Sequence, residues 1–138
     1  MRKAITTLLM TTVLALPVAN AVAATKTTTK KVVTRKFTGN LASVDRWGEL
    51  QVTITVRKTT TKVGTRTRVT RKIIGLSVPV YPNHTDRSVF INTQALPVLR
   101  SEALRANSAN IDMVSGATDS SDGFVQSLQS AILKAKHA

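Results

Sequence analysis

Ten consecutive residues, Asp112-Met-Val-Ser-Gly-Ala-Thr-Asp-Ser-Ser121, concentrate the groups in this chain that are able to do chemistry: four hydroxyls, two carboxylates and one glycine. They stand directly before Phe124, Val125, Leu128, Ala131, Ile132 and Ala135, whose spacing is that of one apolar face of a helix. Asp119 and Asp122 fall in the first turn of that helix and Lys134 and Lys136 in its last, the charge order that the helix dipole favours. The polar stretch is therefore expected at a helix N-terminus. Backbone N–H groups there are free to hold an anionic group such as a phosphate, and Gly116 removes a side chain from the approach. The competing reading is structural: Ser120 or Ser121 serves as an ordinary N-cap and nothing more.

The elements that would carry this loop are legible upstream. Leu50, Val52, Ile54 and Val56 alternate with Gln51, Thr53, Thr55 and Arg57, a strict period of two that predicts a strand with one apolar face. Thr65 to Lys72 alternates β-branched residues with basic ones, and the extended pattern continues to Val80 with a change of parity at Gly75, where a bulge fits. Pro79 places that strand at an edge or at its own end. Residues 25–36, rich in Thr and Lys, read as a tether, with structure beginning at Phe37. Asn83 to Arg87 reads as a loop, and Val89, Phe90 and Ile91 as a short buried segment. A helix is expected from about Leu96 to Ala106, with Pro97 in its first turn and Leu96, Leu99, Ala103 and Leu104 on one face. Strands first and helices after predict an α+β fold: a small antiparallel sheet covered by two helices, with the polar loop before the C-terminal helix.

The front of the chain reads as a secretory leader. Met1-Arg2-Lys3 is basic, Ala4 to Leu16 is mostly apolar, and Ala21-Val22-Ala23 supplies a small-x-small cleavage pattern, so residues 1–24 are expected to be removed on export. The domain would then work in a secreted or extracytoplasmic, envelope-associated setting. There is no cysteine, which excludes disulfides, thiolate metal sites and haem attachment through thioether bonds. The formal charge of +13 is unevenly placed. From Lys26 to Lys72 thirteen basic residues face only Asp45 and Glu49, a balance of +11, whereas from Ile73 onward five basic and five acidic residues cancel. The basic half is suited to an anionic surface such as a cell-envelope polymer. Nucleic acid fits the charge but not an exported location, and only Phe37 and Trp47 in that segment offer stacking surfaces.

Three chemistries compete for the loop. A hydrolase needs a base beside a nucleophilic serine, yet the only histidines are His84, in a proline-flanked loop, and His137, next to the last residue; no Gly-x-Ser-x-Gly elbow is present. Binding of a phosphorylated cofactor, and a non-catalytic basic module that binds anionic cell-wall polymers, both stay open on these grounds. No residue cluster suggests a metal site.

Asp112-Met-Val-Ser115-Gly116-Ala117-Thr118 resembles the flavinylation motif of FMN-binding domains related to the flavin-carrying subunits of sodium-pumping NADH:quinone reductase and Rnf complexes. That motif runs Asp, two variable residues, Ser or Thr, Gly, Ala, Thr. The likeness extends to Gly48–Val56, to Ile91–Ala106, to Ser108–Asp112 and to Ser127–Ala131, and it is similar to the small exported type found in actinobacteria. The resemblance implies an exported electron-carrying flavoprotein domain rather than a complete enzyme. It implies FMN as cofactor, attached by an FAD-dependent flavin transferase through the flavin phosphate to the Thr118 hydroxyl. Asp112 matches the acidic position, Ser115 the hydroxyl position, and Gly116 with Ala117 the small residues; Ser120 and Ser121 keep the capping role and complete the cofactor-binding set. Where relatives carry an aromatic residue after the motif, this chain has Asp119. Electrons would pass to and from a membrane or extracellular redox partner.

Overall fold

The computed structural model describes residues 26–138; the expected leader lies outside the described residues. Four strands and two long helices follow one another as β1 (Thr28–Thr38), β2 (Ala42–Ser43), a 3-10 turn (Asp45–Trp47), β3 (Glu49–Val63), β4 (Arg66–Val80), α1 (Asp86–Ala106) and α2 (Thr118–His137). The architecture is the α+β arrangement expected, with one four-stranded antiparallel sheet.

Strand β3 is the centre of the sheet. It pairs with β1, β2 and β4, and Ala42 faces Leu50 while Ser43 faces Glu49 in the antiparallel β2 register. Gly39 N–H donates to Val52 O at 2.8 Å, so β1 and β2 succeed each other along one edge of β3 and β4 takes the other. The alternation read from the sequence is the reason for this centrality: Leu50, Val52, Ile54 and Val56 are all buried, and Gln51, Thr53, Thr55 and Arg57 point to the opposite, polar face. On β4 the inward positions change from Arg71 and Ile73 to Leu76 and Val78 across Gly75, the expected change of parity. Pro79 stands one residue before the end of this edge strand, where no ladder bond is lost.

Two expectations fail. The stretch read as a tether is strand β1 from Thr28 onward. Its side chains are mostly exposed and polar or charged, so a hydropathy pattern could not reveal it; backbone pairing with β3 makes it a strand. The first helix also starts ten residues earlier than expected, at Asp86. Val89 and Phe90 are not buried but stand on its water side, 43% and 65% exposed. The start signal is a capping box at Thr85: Thr85 Oγ1 accepts from Ser88 N–H at 3.1 Å and Ser88 Oγ accepts from Thr85 N–H at 3.2 Å. Serine replaces the usual Glu or Gln at the third position, which hid the box. Pro97 consequently sits inside the helix rather than in its first turn.

By its contacts the described chain forms two units, residues 26–30 with 61–68, and Lys31–Thr60 with Val69–Ala138. The first holds a two-residue turn between β3 and β4 in which Gly64 has φ of 60°, the positive value that a hairpin turn with glycine leading requires. The second holds the core. Leu99 and Ala103 of α1, Phe124, Leu128 and Ala131 of α2, and Val44, Leu50, Val52 and Ile54 from the sheet side are all nearly inaccessible to water. Helix α2 lies against the sheet closely enough that a Cβ on Gly123 would come 2.9 Å from Val44 Cγ2. Ser127 fixes it there, its Oγ accepting from Val52 N–H at 2.9 Å and donating to Asn40 O at 2.7 Å. Ser130 Oγ accepts from Asn40 N–H, and Lys134 Nζ donates to Thr38 O at 2.8 Å. At the other helix, Asn107 adopts a left-handed conformation at the C-cap, where it accepts from Ile73 N–H at 2.7 Å and ties α1 to β4.

Candidate functional site

The polar loop is held in shape by its own turn. Ala117 N–H donates to Val114 O at 3.0 Å, and Gly116 between them has φ of 81°. This is the pattern of a type II turn, whose third position needs positive φ. A Cβ on Gly116 would meet nothing within 4 Å, so backbone conformation, not crowding within the chain, calls for glycine there. Ser121, fully buried, braces the turn from below: its Oγ donates to Ala117 O at 2.7 Å and accepts from Val114 N–H at 3.0 Å.

This geometry revises the expected capping. Helix α2 begins at Thr118, its N-cap is Ala117, and no side chain caps it. Ser120 and Ser121 lie inside the helix, and Ser121 N–H already makes the first helical bond, to Ala117 O at 2.9 Å. The N–H groups of Thr118, Asp119 and Ser120 make no helical bond and no N-cap side chain takes one of them, so they are left for water or an anion. The contrast with α1 is informative, since that helix start is closed by its own Thr85–Ser88 box.

Both helix starts border one cleft of about 270 Å³. Gly116, Ala117, Thr118, Asp119 and Ser120 form one wall; Arg87, Ser88, Ile91 and Asn92 of α1 form another; Arg46 and Trp47 of the 3-10 turn, with Pro82, complete it. Trp47 is half-buried, with the Arg46 guanidinium carbon 5.2 Å from its ring centroid. Arg46 also lies 4.0 Å from the Asp45 carboxylate, an exposed pair that contributes little. Arg87 has no carboxylate partner among the described residues. Asn92 is 1% exposed. Its amide donates to Pro82 O at 2.8 Å, while Oδ1 is buried without a donor. A buried acceptor left open on a cleft wall points to a ligand that donates to it.

The structure thus gathers Gly116, Ala117, Thr118 and Ser120 at the cleft. Asp112 and Ser115 are exposed and do not line it, and Ser121 acts beneath the turn rather than in the cleft. Arg87, Asn92 and the Arg46–Trp47 pair were not singled out by sequence reasoning as site residues. An asparagine in the middle of an amphipathic helix, on the same face as Ala95 and Leu99, is the signal that could have found Asn92.

An uncapped helix start, an arginine without a carboxylate partner, a half-buried indole and a buried acceptor without a donor suit a ligand with both an anionic group and a ring system. A model of the family described as the FMN-binding domain matches residues 45–133, which includes every residue of the cleft. The chain belongs to that family, and FMN is its cofactor. No curated protein matches the chain. The residues present fit the cofactor, because the open N–H groups and Arg87 suit a phosphate, and Asn92 Oδ1 suits a donor such as the flavin imide.

Proposed function

We propose that this domain is an exported electron carrier in which FMN is joined through its phosphate to the Thr118 hydroxyl. The observation that carries the reading is the position of Thr118, the first residue of an uncapped helix and part of the cleft wall, within the Ser-Gly-Ala-Thr turn. A transferase using FAD would form the bond from Thr118 Oγ to the flavin phosphorus as the bond from that phosphorus to AMP breaks, with the hydroxyl proton passing to a base of the transferase. A phosphodiester at this place keeps one negative charge at the positive end of the α2 dipole. Gly116 and Ala117 leave the Thr118 hydroxyl accessible to a second protein, and Thr118 is itself exposed.

Bound FMN supplies transfer of one or two electrons, and the protein supplies its position and surroundings. Trp47 offers an aromatic wall, Asn92 Oδ1 an acceptor, and Arg87 a positive charge. Export is supported by the leader pattern in residues 1–24. A redox partner in the membrane or outside it completes the role.

Intact mass of the protein secreted by a host that contains the transferase tests the linkage. The expected result is an FMN phosphodiester adduct that survives denaturation and disappears in Thr118→Ala. An unmodified mass for the native protein, or an adduct that persists in Thr118→Ala, rules the linkage out.

A further inference from the structure

We propose a second, separate ligand site on this chain: a cationic cleft at the outer end of the helix-covered sheet face, which takes a linear phosphate-bearing polyanion. Inward positions of β3 run Leu50, Val52, Ile54 and Val56, then continue as Lys58 and Thr60. On β1 the same face carries Phe37, Arg35, Val33 and Lys31, and on β4 Arg71 follows Ile73 outward. Helix α2 covers this face only as far as Ala135, its last buried residue. Beyond it the apolar floor gives way to a cleft of about 190 Å³ lined by Lys31, Arg35, Lys58, Thr60 and Arg71, with no Asp or Glu among its lining residues.

Among the described residues, Lys58 is the one of these four cations with a hydrogen-bond partner, the cleft-lining residue Ala138. The ion pairs among the described residues are Arg46–Asp45 and Arg105–Glu102, both elsewhere. Lys58 Nζ donates to Ala138 O at 3.2 Å. Arg71 is half-buried, and its Nε is buried with no acceptor. A donor on a partly desolvated guanidinium that lacks an acceptor is a cost in the free protein, and an anion would relieve it.

Charges that protect a sheet edge from pairing stand on edge strands, as Lys31, Arg35 and Arg71 do. Lys58 stands on the central strand, and all four cations surround a concavity on the inward face. The volume is smaller than that of the flavin cleft but admits phosphate groups. A planar arginine fork and the Thr60 hydroxyl suit a tetrahedral oxyanion. Lys31 and Arg35, four residues apart on β1, lie roughly 13 Å from each other along the strand, so a ligand that meets both carries several anionic groups in a row. The two β1 cations precede residue 45, so this part of the site lies outside the family match. No residue of this cleft lines the flavin cleft.

Titration of the full secreted chain with inorganic tripolyphosphate, monitored calorimetrically at low and moderate salt, tests the site whether or not flavin is attached. The expected result is binding that weakens with salt and falls by about tenfold or more in Arg35→Gln/Arg71→Gln, each charge-assisted hydrogen bond contributing on that order. A matched pair on the opposite sheet face, Arg57→Gln/Lys72→Gln, is expected to change affinity by less than about twofold if only general charge is altered. If loss of Arg71 prevents folding, Lys31→Gln/Arg35→Gln, both on exposed β1 positions, replaces it with the same expectation. Equal losses in the two pairs, equally tight binding of citrate, or no binding by the native chain overturns the proposal. Tighter binding to phosphatidylglycerol vesicles than to tripolyphosphate also overturns it, in favour of a membrane surface.

Discussion

Asp119 puts a carboxylate beside the proposed attachment residue, and its effect has a measurable sign. Asp119 lies in the first turn of α2 and lines the cleft beside Thr118. Its carboxylate suits the helix dipole but repels a phosphate held at the same N-terminus. In a Thr118→Ala background, which lacks the proposed attachment hydroxyl, Asp119→Asn is expected to tighten FMN binding by about threefold at low salt, with the gain fading as ionic strength rises; fluorescence titration reads it. Asn92 is the converse case. Asn92→Ala in the same background removes the open acceptor and is expected to weaken FMN by about fivefold, the worth of one ordinary hydrogen bond. Beneath both, Ser121→Ala leaves Val114 N–H without its partner and loosens the turn. Thermal unfolding is expected to show a loss of about 1–3 kcal/mol, the cost of a buried group left unpaired.

Among the elements, α2 has two tasks that constrain each other. Its N-terminus must stay uncapped and open at the cleft, while its body must be pinned to the sheet. The pinning comes from small residues as much as from Phe124 and Leu128. Gly123 lets the helix approach Val44, and Gly39 lies where a Cβ would overlap the carbonyl oxygen of Ser127. That neighbour is helix backbone, which cannot rotate away. Gly39→Ala is therefore expected to destabilise the protein by about 1–3 kcal/mol, as overpacking commonly does, and to displace the Ser127 bonds to Val52 and Asn40. Chemical denaturation measures the first effect and amide exchange at Val52 the second. Helix α1 shows the opposite design at its start, where the Thr85 box closes the N–H groups and leaves Arg87 and Asn92 to face the cleft.

On the scale of the whole molecule, the domain holds together without disulfides, since the chain has no cysteine. A core running from Val44 to Ala135 supplies its stability. Ligand linkage adds to it. For the Thr118→Ala protein, FMN at about a hundred times its dissociation constant is expected to raise the unfolding free energy by about 2.7 kcal/mol, visible as a higher melting temperature, whereas reducing agents are expected to leave that temperature unchanged. The charge asymmetry has its structural counterpart as well. The acid-poor first half builds the sheet, and the charge-balanced second half builds both helices and most of the flavin cleft.

The sequence by itself determined what its short-range patterns encode. Period-two alternation made β3 the central strand, the parity change at Gly75 appeared as the switch from Ile73 to Leu76, and the spacing from Phe124 to Ala135 marked the buried face of α2. The α+β class and the family followed from those patterns and from the Ser115-Gly116-Ala117-Thr118 motif. The tertiary structure decided what depends on partners distant in the chain. Strand β1 exists because β3 offers it a ladder, although its own side chains favour water. Val89 and Phe90 proved exposed because a capping box upstream set the helix phase. Ser121 became a brace instead of a cap because the turn at Gly116 brought Val114 over it. The cleft joins residues from 45 to 120, and the open acceptor of Asn92 appears only once Pro82 has taken its amide. Local periodicity reports which face of an element is buried; only packing reports which polar atoms are left for a ligand.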